Sequence, residues 1–111
     1  MRPPAFAPDA GDVVWLEFDP QAGHEQAGRR PAVVLSPANY NGKTGLMVCC
    51  PLTTRIKGYP FEVALPSQQG SAVLSDQVKN LDWRARRASR KGKVTELELR
   101  QVRAKLRALI G

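Results

Sequence analysis

Cysteine and histidine are scarce in this chain of 111 residues, which has one histidine, His24, and two adjacent cysteines, Cys49 and Cys50. Neighbouring residues of a strand point to opposite faces, so these two thiols are poorly placed to bridge each other. No Cys and His residues have the spacing of a zinc site. Both cysteines are therefore expected to be small buried residues in a reducing compartment.

Long apolar runs are also missing. No stretch approaches the length of about 20 residues that crosses a membrane, and the proline-rich residues 1–8 lack the apolar segment of a secretion signal. The phosphate-binding P-loop and the Gly-x-Ser-x-Gly elbow are absent as well. These absences predict a cytoplasmic protein with no metal and no cofactor. The length of 111 residues predicts a single domain over residues 1–111.

Acidic residues are few, with 10 Asp and Glu against 17 Lys and Arg, which gives a net charge of +7. The excess lies in the last quarter, where residues 84–107 carry ten basic residues opposed only by Glu96 and Glu98. That segment has a charge of +8 and the rest of the chain −1. A polyanionic partner is predicted, either nucleic acid or an acidic protein segment, with a solvated basic face as the alternative.

Short segments rich in β-branched and aromatic residues, separated by Gly and Pro, predict six strands. The predicted strands are residues 12–18, 31–36, 46–54, 61–65, 71–76 and 77–83. Residues 37–45 predict a short helical turn, and residues 84–93 a basic connector with a turn at Gly92.

The C-terminal segment predicts a helix. Thr95 and Glu98 have the spacing of a capping box. An apolar stripe at helical spacing follows, formed by Leu99, Val102, Leu106, Leu109 and Ile110. Six strands and one helix predict a mainly β fold, a small closed or half-closed barrel with a C-terminal helix.

Chemically useful side chains concentrate in residues 25–36. Glu25 and Arg29 precede Arg30, and Pro31 restricts Arg30 to extended conformations at a stiff loop-to-strand junction. Pairing of the second and third predicted strands would bring Arg30 close to Thr53. A carboxylate, a guanidinium and a hydroxyl suit phosphodiester cleavage in RNA, whose 2′-hydroxyl is a built-in nucleophile that needs no metal. His24 is given no catalytic role, since a lone loop histidine is more often simply exposed.

Further polar residues predict contacts with single-stranded RNA. Arg55 and Lys57 are expected to follow the phosphate backbone, while Asn41 and Gln77 read base edges. The predicted RNA-binding set is Arg29, Asn41, Arg55, Lys57, Gln77 and Lys79.

Seven segments together resemble the MazF/PemK family of toxin endoribonucleases, in order and from about Gly11 to Gly111. They are Gly11–Trp15, Phe18–Pro20, Glu25–Pro37, Pro51–Thr54, Lys57–Val63, Asp76–Lys79 and Trp83–Arg86. The resemblance implies an SH3-like, PemK-like β-barrel that works as a homodimer. It also implies a sequence-specific, metal-independent cut in single-stranded mRNA that leaves 2′,3′-cyclic phosphate and 5′-hydroxyl ends and inhibits translation and growth.

The same resemblance assigns partners and catalytic residues. It implies a MazE-like antitoxin with an acidic C-terminal tail, contact with DNA only through the antitoxin complex, and no membrane. The family's catalytic residues fall on Arg30, Thr53 and Glu25.

Because a guanidinium keeps its proton at neutral pH, Arg30 is a poor base. Arg30 is therefore expected to stabilise the phosphorane, with donation of a proton to the leaving 5′-oxygen as a second role. Glu25 is the better acceptor of the 2′-hydroxyl proton, and Thr53 would hold a phosphate oxygen. The alternative is a non-catalytic binder, such as the CcdB-like toxins that grip DNA gyrase. The trio of Glu25, Arg30 and Thr53 favours the enzyme.

Overall fold

The computed structural model describes residues 6–18 and 28–111. In these residues the chain forms seven strands and two α-helices. In chain order they are β1 (Asp12–Glu17), β2 (Arg29–Val34), α1 (Ala38–Thr44), β3 (Leu46–Thr53), β4 (Glu62–Leu65), β5 (Ser71–Leu74), β6 (Lys79–Asp82), β7 (Ser89–Lys93) and α2 (Glu96–Ile110). All six predicted strands are present, with ends within two residues of those expected.

The strands form one curled antiparallel sheet in the order β4-β5-β3-β2-β1-β7, with β6 paired to β3 outside this path. Strand β3 curls the sheet because its first half pairs with β6 and its last two residues pair with β5. The predicted mainly β fold with a C-terminal helix is confirmed. Among the described residues, no helix has both the length and the apolar character needed to cross a membrane.

Both faces of the central strands are buried. Val33 and Cys50 belong to one apolar cluster, whereas Val34 and Cys49 belong to a second cluster. The predicted opposite orientation and burial of the two cysteines are confirmed. Burial raises the pKa of each thiol to about 12, so both remain protonated at neutral pH.

Helix α2 begins with the predicted capping box. The Glu98 amide donates to Thr95 Oγ1 at 3.1 Å, and the Thr95 amide donates to Glu98 Oε1 at 2.9 Å. Val102 is fully buried against the first cluster, and Leu99 and Leu106 also pack there. The predicted stripe is expected to pack on the barrel or on a second subunit. Its first part packs on the barrel, whereas at its C-terminal end Leu109 is 45% exposed and Ile110 is 73% exposed in the single chain.

The prediction of a basic connector with a turn at Gly92 is wrong in its second half, where Gly92 lies within strand β7. This strand pairs with β1 at the edge of the sheet, with a shift in register. Gly92 lies opposite Val13, and Arg90 lies opposite Val14, so Lys91 is an extra residue of a β-bulge. Bulges bend a strand and redirect its side chains.

Candidate active site

Arg30 and Thr53 lie at one edge of the sheet. Strands β2 and β3 are antiparallel with Ala32 opposite Pro51, so the start of β2 is next to the end of β3. Both residues line a hollow of about 300 Å³. Its lining is Arg29, Arg30, Pro31, Leu52, Thr53, Thr54, Arg55 and Ser71. The predicted proximity of the two strand ends is therefore confirmed, while the catalytic roles stay predictions.

The Arg30 side chain is exposed at the rim of this hollow. Its backbone is held by strand pairing, since Arg30 lies opposite Leu16 and Pro31 lies opposite Trp15 of β1. The guanidinium carbon is 6.0 Å from the centre of the Phe18 ring. A guanidinium at this distance from an aromatic face is attracted by the ring while its edge stays available to an anion.

Thr53 offers a hydroxyl whose oxygen is already fixed. The Arg55 amide donates to Thr53 Oγ1 at 3.0 Å. A hydroxyl that accepts such a bond still has its own proton to donate. Thr53 can therefore act as a hydrogen-bond donor to an anionic oxygen in the hollow.

A second hollow, of about 160 Å³, adjoins the first and shares Thr53 and Arg55 with it. Its remaining lining is Lys57, Tyr59, Glu62, Leu74 and Gln77. The Glu62 carboxylate accepts from the Lys57 amide at 3.0 Å and from the Gly58 amide at 2.8 Å, which fixes the turn. Arg55 and Lys57 are exposed here, so this part of the edge is electropositive.

Arg29 differs from its neighbour because its guanidinium is bonded within the protein. Nη2 donates to the carbonyl of Arg87 at 2.7 Å, to Ser89 Oγ at 2.8 Å and to the carbonyl of Trp15 at 3.3 Å. Nη1 lies 3.9 Å from the Glu17 carboxylate. Arg29 therefore ties the start of β2 to β1 and β7, and its predicted phosphate contact stays a prediction.

The turn at residues 83–87 forms hydrogen bonds with the chain just before residue 19 and just after residue 27. Arg86 Nη1 donates to the carbonyl of Glu17 at 3.0 Å and also to the carbonyl of Phe18. On the other side, Arg29 is bonded to the carbonyl of Arg87. Glu25 and His24 lie outside the described residues, so the role assigned to Glu25 remains a prediction.

The expectation that Asn41 reads a base is wrong. Its side chain is fully buried in α1, where Nδ2 donates to the carbonyls of Pro8 at 2.8 Å and Ser36 at 2.9 Å. Oδ1 accepts from Ser36 Oγ at 2.6 Å. The amide is fully used in joining α1 to the end of β2 and to the segment before β1.

Of the other two predicted RNA contacts, Gln77 and Lys79, only Gln77 lies in a hollow. Gln77 is exposed and lines the second hollow, as an RNA contact requires. Lys79 is exposed at the start of β6 opposite Cys49, and it lines neither hollow. Their RNA contacts remain predictions.

Sequence reasoning missed a third hollow, of about 540 Å³, which shares Pro31, Thr54 and Ser71 with the first. Its other lining residues are Trp15, Ser67, Gln68, Gln69 and Lys91. In the sequence Lys91 counted only as one of the ten basic residues of the last quarter, because the bulge that places it in this hollow lies in the strand that was not predicted.

A larger hollow, of about 840 Å³, lies between β4 and α2 and contains neither Arg30 nor Thr53. Its buried carboxylate, Glu98, is already bonded to Ser67 and Thr95. Within residues 6–18 and 28–111, no three His, Cys, Asp or Glu side chains converge as metal ligands would.

Residues 9–110 match the family model described as "PemK-like, MazF-like toxin of type II toxin-antitoxin system". The "Endoribonuclease toxin MazF" of Escherichia coli (strain K12) is 56% identical over 107 residues, which cover 96% of each chain. The crystal structure of MazF (Form-I) from Deinococcus radiodurans superposes with a TM-score of 0.86 at 58% identity, over 96% of this chain and 99% of that one. The MazE-MazF (Form-III) structure from the same organism gives 0.87 at 56% identity, over 96% and 98%.

Proposed function

The chain belongs to the PemK-like, MazF-like toxins of type II toxin–antitoxin systems, and on this premise we propose that it is a metal-independent endoribonuclease for single-stranded RNA. The observation that carries the proposal is the common hollow of Arg30 and Thr53 at an electropositive edge of the sheet. The near full-length identity with an endoribonuclease toxin supports the same activity. A CcdB-like binder of DNA gyrase is not favoured.

The reaction uses the RNA's own nucleophile. The 2′-oxygen attacks the adjacent phosphorus, and its proton passes to the Glu25 carboxylate. Arg30 and the Thr53 hydroxyl hold the charged oxygens of the phosphorane, where fixed donors are most effective. The bond from phosphorus to the 5′-oxygen then breaks, and the leaving oxygen takes a proton, from Arg30 or from water. The products are a 2′,3′-cyclic phosphate and a 5′-hydroxyl.

A MazE-like antitoxin is proposed as the neutralising partner, in agreement with the solved MazE-MazF complex of a relative. Arg30, Arg55 and Lys57 expose positive charge along the hollows, so an acidic tail lying there would exclude RNA. A homodimer in the cytoplasm completes the proposal. Among residues 6–18 and 28–111, large apolar side chains are exposed at Ile56, Leu97, Leu109 and Ile110, and they give a second copy surface to cover.

The test is cleavage of a long single-stranded RNA by the purified protein in excess EDTA, with the fragment ends mapped. Discrete cuts with cyclic-phosphate ends are expected. The Arg30→Ala protein should cleave on the order of 10²- to 10³-fold more slowly, because a donor to the transition state is lost.

Arg100→Ala is the matched control, since Arg100 is an exposed arginine of α2 that lines none of the three hollows. It should cleave like the unaltered protein. Intact RNA after incubation with folded protein that is free of antitoxin would refute the proposed activity and make gyrase binding the next hypothesis.

A further inference from the structure

The third hollow continues the groove beyond the Arg30 and Thr53 hollow towards β7. The first and third hollows have Pro31, Thr54 and Ser71 in common, so they form one continuous groove. At about 540 Å³, the third hollow is large enough for a nucleobase. Trp15, Gln68, Gln69 and Lys91 line this hollow, and none of them belongs to the predicted RNA-binding set.

One wall is an aromatic ring beneath a cation. Trp15 of β1 is half-buried, and Lys91 Nζ lies 5.5 Å from the centre of its ring. Lys91 is the extra residue of the β7 bulge, and bulges next to active sites commonly redirect a side chain. A ring for stacking and an ammonium for phosphate are the two parts that single-stranded nucleic acid binding combines.

Two glutamine amides, those of Gln68 and Gln69, line the same hollow beside the cation. Gln68 accepts from Lys91 Nζ at 3.0 Å, which couples the bulge to the turn between β4 and β5. The next residue, Gln69, is exposed and has a φ of 29°, a left-handed conformation that side-chain-bearing residues rarely adopt. Strained backbone of this kind persists where the surrounding structure imposes it, often at binding sites. A side-chain amide both donates and accepts, as the edge of a base requires.

We propose that Trp15, Lys91, Gln68 and Gln69 form a nucleobase subsite for the RNA nucleotide that flanks the scissile phosphate on the β7 side. The proposal rests on the endoribonuclease function and adds a determinant of its cleavage motif. The base stacks on Trp15, the Gln69 amide bonds to the base edge, and Lys91 contacts the neighbouring phosphate. Gln68 positions Lys91.

The first test needs no cleavage. Trp15 and Trp83 are the two tryptophans of the chain, and Trp83 is only 6% exposed. Titration with a mixed-sequence RNA pool, 2′-O-methylated so that it cannot be cut, should quench the fluorescence of Trp15. Trp15→Phe should bind the pool yet lose the quenching. Binding without quenching in the unaltered protein would overturn the subsite even if the protein cleaves RNA.

The second test reads the cleavage motif. Gln69→Gly removes the amide and also relieves the left-handed φ, so this variant should be at least as stable as the unaltered protein. It should nevertheless lose selectivity at one nucleotide next to the cut, by about tenfold. Trp15→Ala should lower kcat/KM by about tenfold, with Trp15→Phe retaining most of it.

Lys91→Ala should raise KM with little change in kcat, and Lys43→Ala is its control because Lys43 is an exposed lysine of α1 outside this groove. An unchanged cleavage motif in Gln69→Gly, an unchanged kcat/KM in Trp15→Ala and an unchanged KM in Lys91→Ala would together overturn the proposal. If the unaltered protein does not cut RNA at all, the proposed function fails, and the fluorescence titration still decides whether the hollow takes a base.

Discussion

Two adjacent arginines at the start of β2 have different surroundings. The Arg29 guanidinium is bonded to two main-chain carbonyls and a serine hydroxyl of neighbouring strands and turns. The Arg30 guanidinium lies at the rim of the hollow beside the Phe18 ring. The sequence presents the pair as near equivalents, whereas the structure divides them into an anchor and an exposed cation.

Arg29→Ala should therefore act mainly on stability. Loss of charge-assisted bonds to carbonyls, discounted for a side chain that is 37% exposed, should lower the free energy of unfolding by about 1–2 kcal/mol. Urea unfolding measures this change. Arg30→Ala should unfold like the unaltered protein but cleave far more slowly. Equal stability of the two variants, with equal losses of cleavage, would contradict this division.

The sequence predicts which site residues lie together only where the order of the strands determines it. Arg30 and Thr53 could be placed together because consecutive strands usually pair. Asn41 could not be placed correctly, since its exposure is set by Pro8 and Ser36, whose approach to α1 is a tertiary event. A polar residue in a polar segment gives no local sign that its amide is buried and fully bonded.

One buried carboxylate, that of Glu98, links helix α2 to the turn after β4, in addition to the apolar contacts of the helix. Glu98 caps its own helix and accepts from both the amide and the hydroxyl of Ser67 in the turn after β4. Burial by itself raises the pKa of Glu98, but the hydrogen bonds from Ser67 and Thr95 outweigh it and hold the pKa below its ordinary value.

This lowered pKa gives a direction to the pH dependence of stability. Because the folded pKa lies below the unfolded one, the contribution of Glu98 is full above the unfolded value and is lost as pH falls through the folded value. Glu98→Gln should cost on the order of 1–2 kcal/mol at pH 7. The difference in the free energy of unfolding between Glu98→Gln and the unaltered protein should shrink as pH falls below about 4.3.

Urea unfolding at pH 7 and at several values between 3 and 5 measures the effect. Glu96→Gln is the control, because Glu96 is an exposed carboxylate in the same first turn. A stability difference for Glu98→Gln that does not change with pH would refute the assignment.

Strand β7 was not predicted because its sequence lacks the pattern of a buried strand. Its sequence, Ser-Arg-Lys-Gly-Lys, has no alternating apolar residues, because the strand lies at the edge of the sheet and four of its five residues are exposed. Edge strands rich in lysine are a common protection against unwanted pairing. The six strands that were predicted all contribute apolar side chains to the core, which is the signal that periodicity detects.

At the scale of the whole molecule, several basic side chains of residues 84–107 are held by contacts within the chain. Arg90 and Lys93 pair with the buried Asp12, and Arg84 lies 4.8 Å from the centre of the Trp83 ring. Arg103 donates to the carbonyl of Leu35. Fewer of these side chains are therefore free to reach a polyanion than the net charge of the last quarter suggests.

RNA binding should reflect the cations of the groove rather than the net charge. If Arg30, Arg55, Lys57 and Lys91 each neutralise one phosphate, the logarithm of the binding constant should fall with the logarithm of the salt concentration with a slope of roughly −3. Titrations with a 2′-O-methyl RNA at several salt concentrations give the slope. Lys57→Ala should reduce its magnitude by about 0.7, and Lys105→Ala should not. A slope unaffected by Lys57→Ala would contradict the prediction that the cations of the groove bind the RNA phosphates.

The turn at residues 83–87 holds the chain on both sides of residues 19–27, through Arg86 on one side and Arg29 on the other. With both ends held by contacts outside the segment, the closure entropy depends only weakly on its length, and a doubling costs about 0.6 kcal/mol. Insertions and deletions there should change activity far more than folding. Among the described residues, the contacts that hold the sheet together lie outside the segment that carries Glu25, so the sequence and length of that segment can change during evolution with little effect on the folding of the rest of the chain.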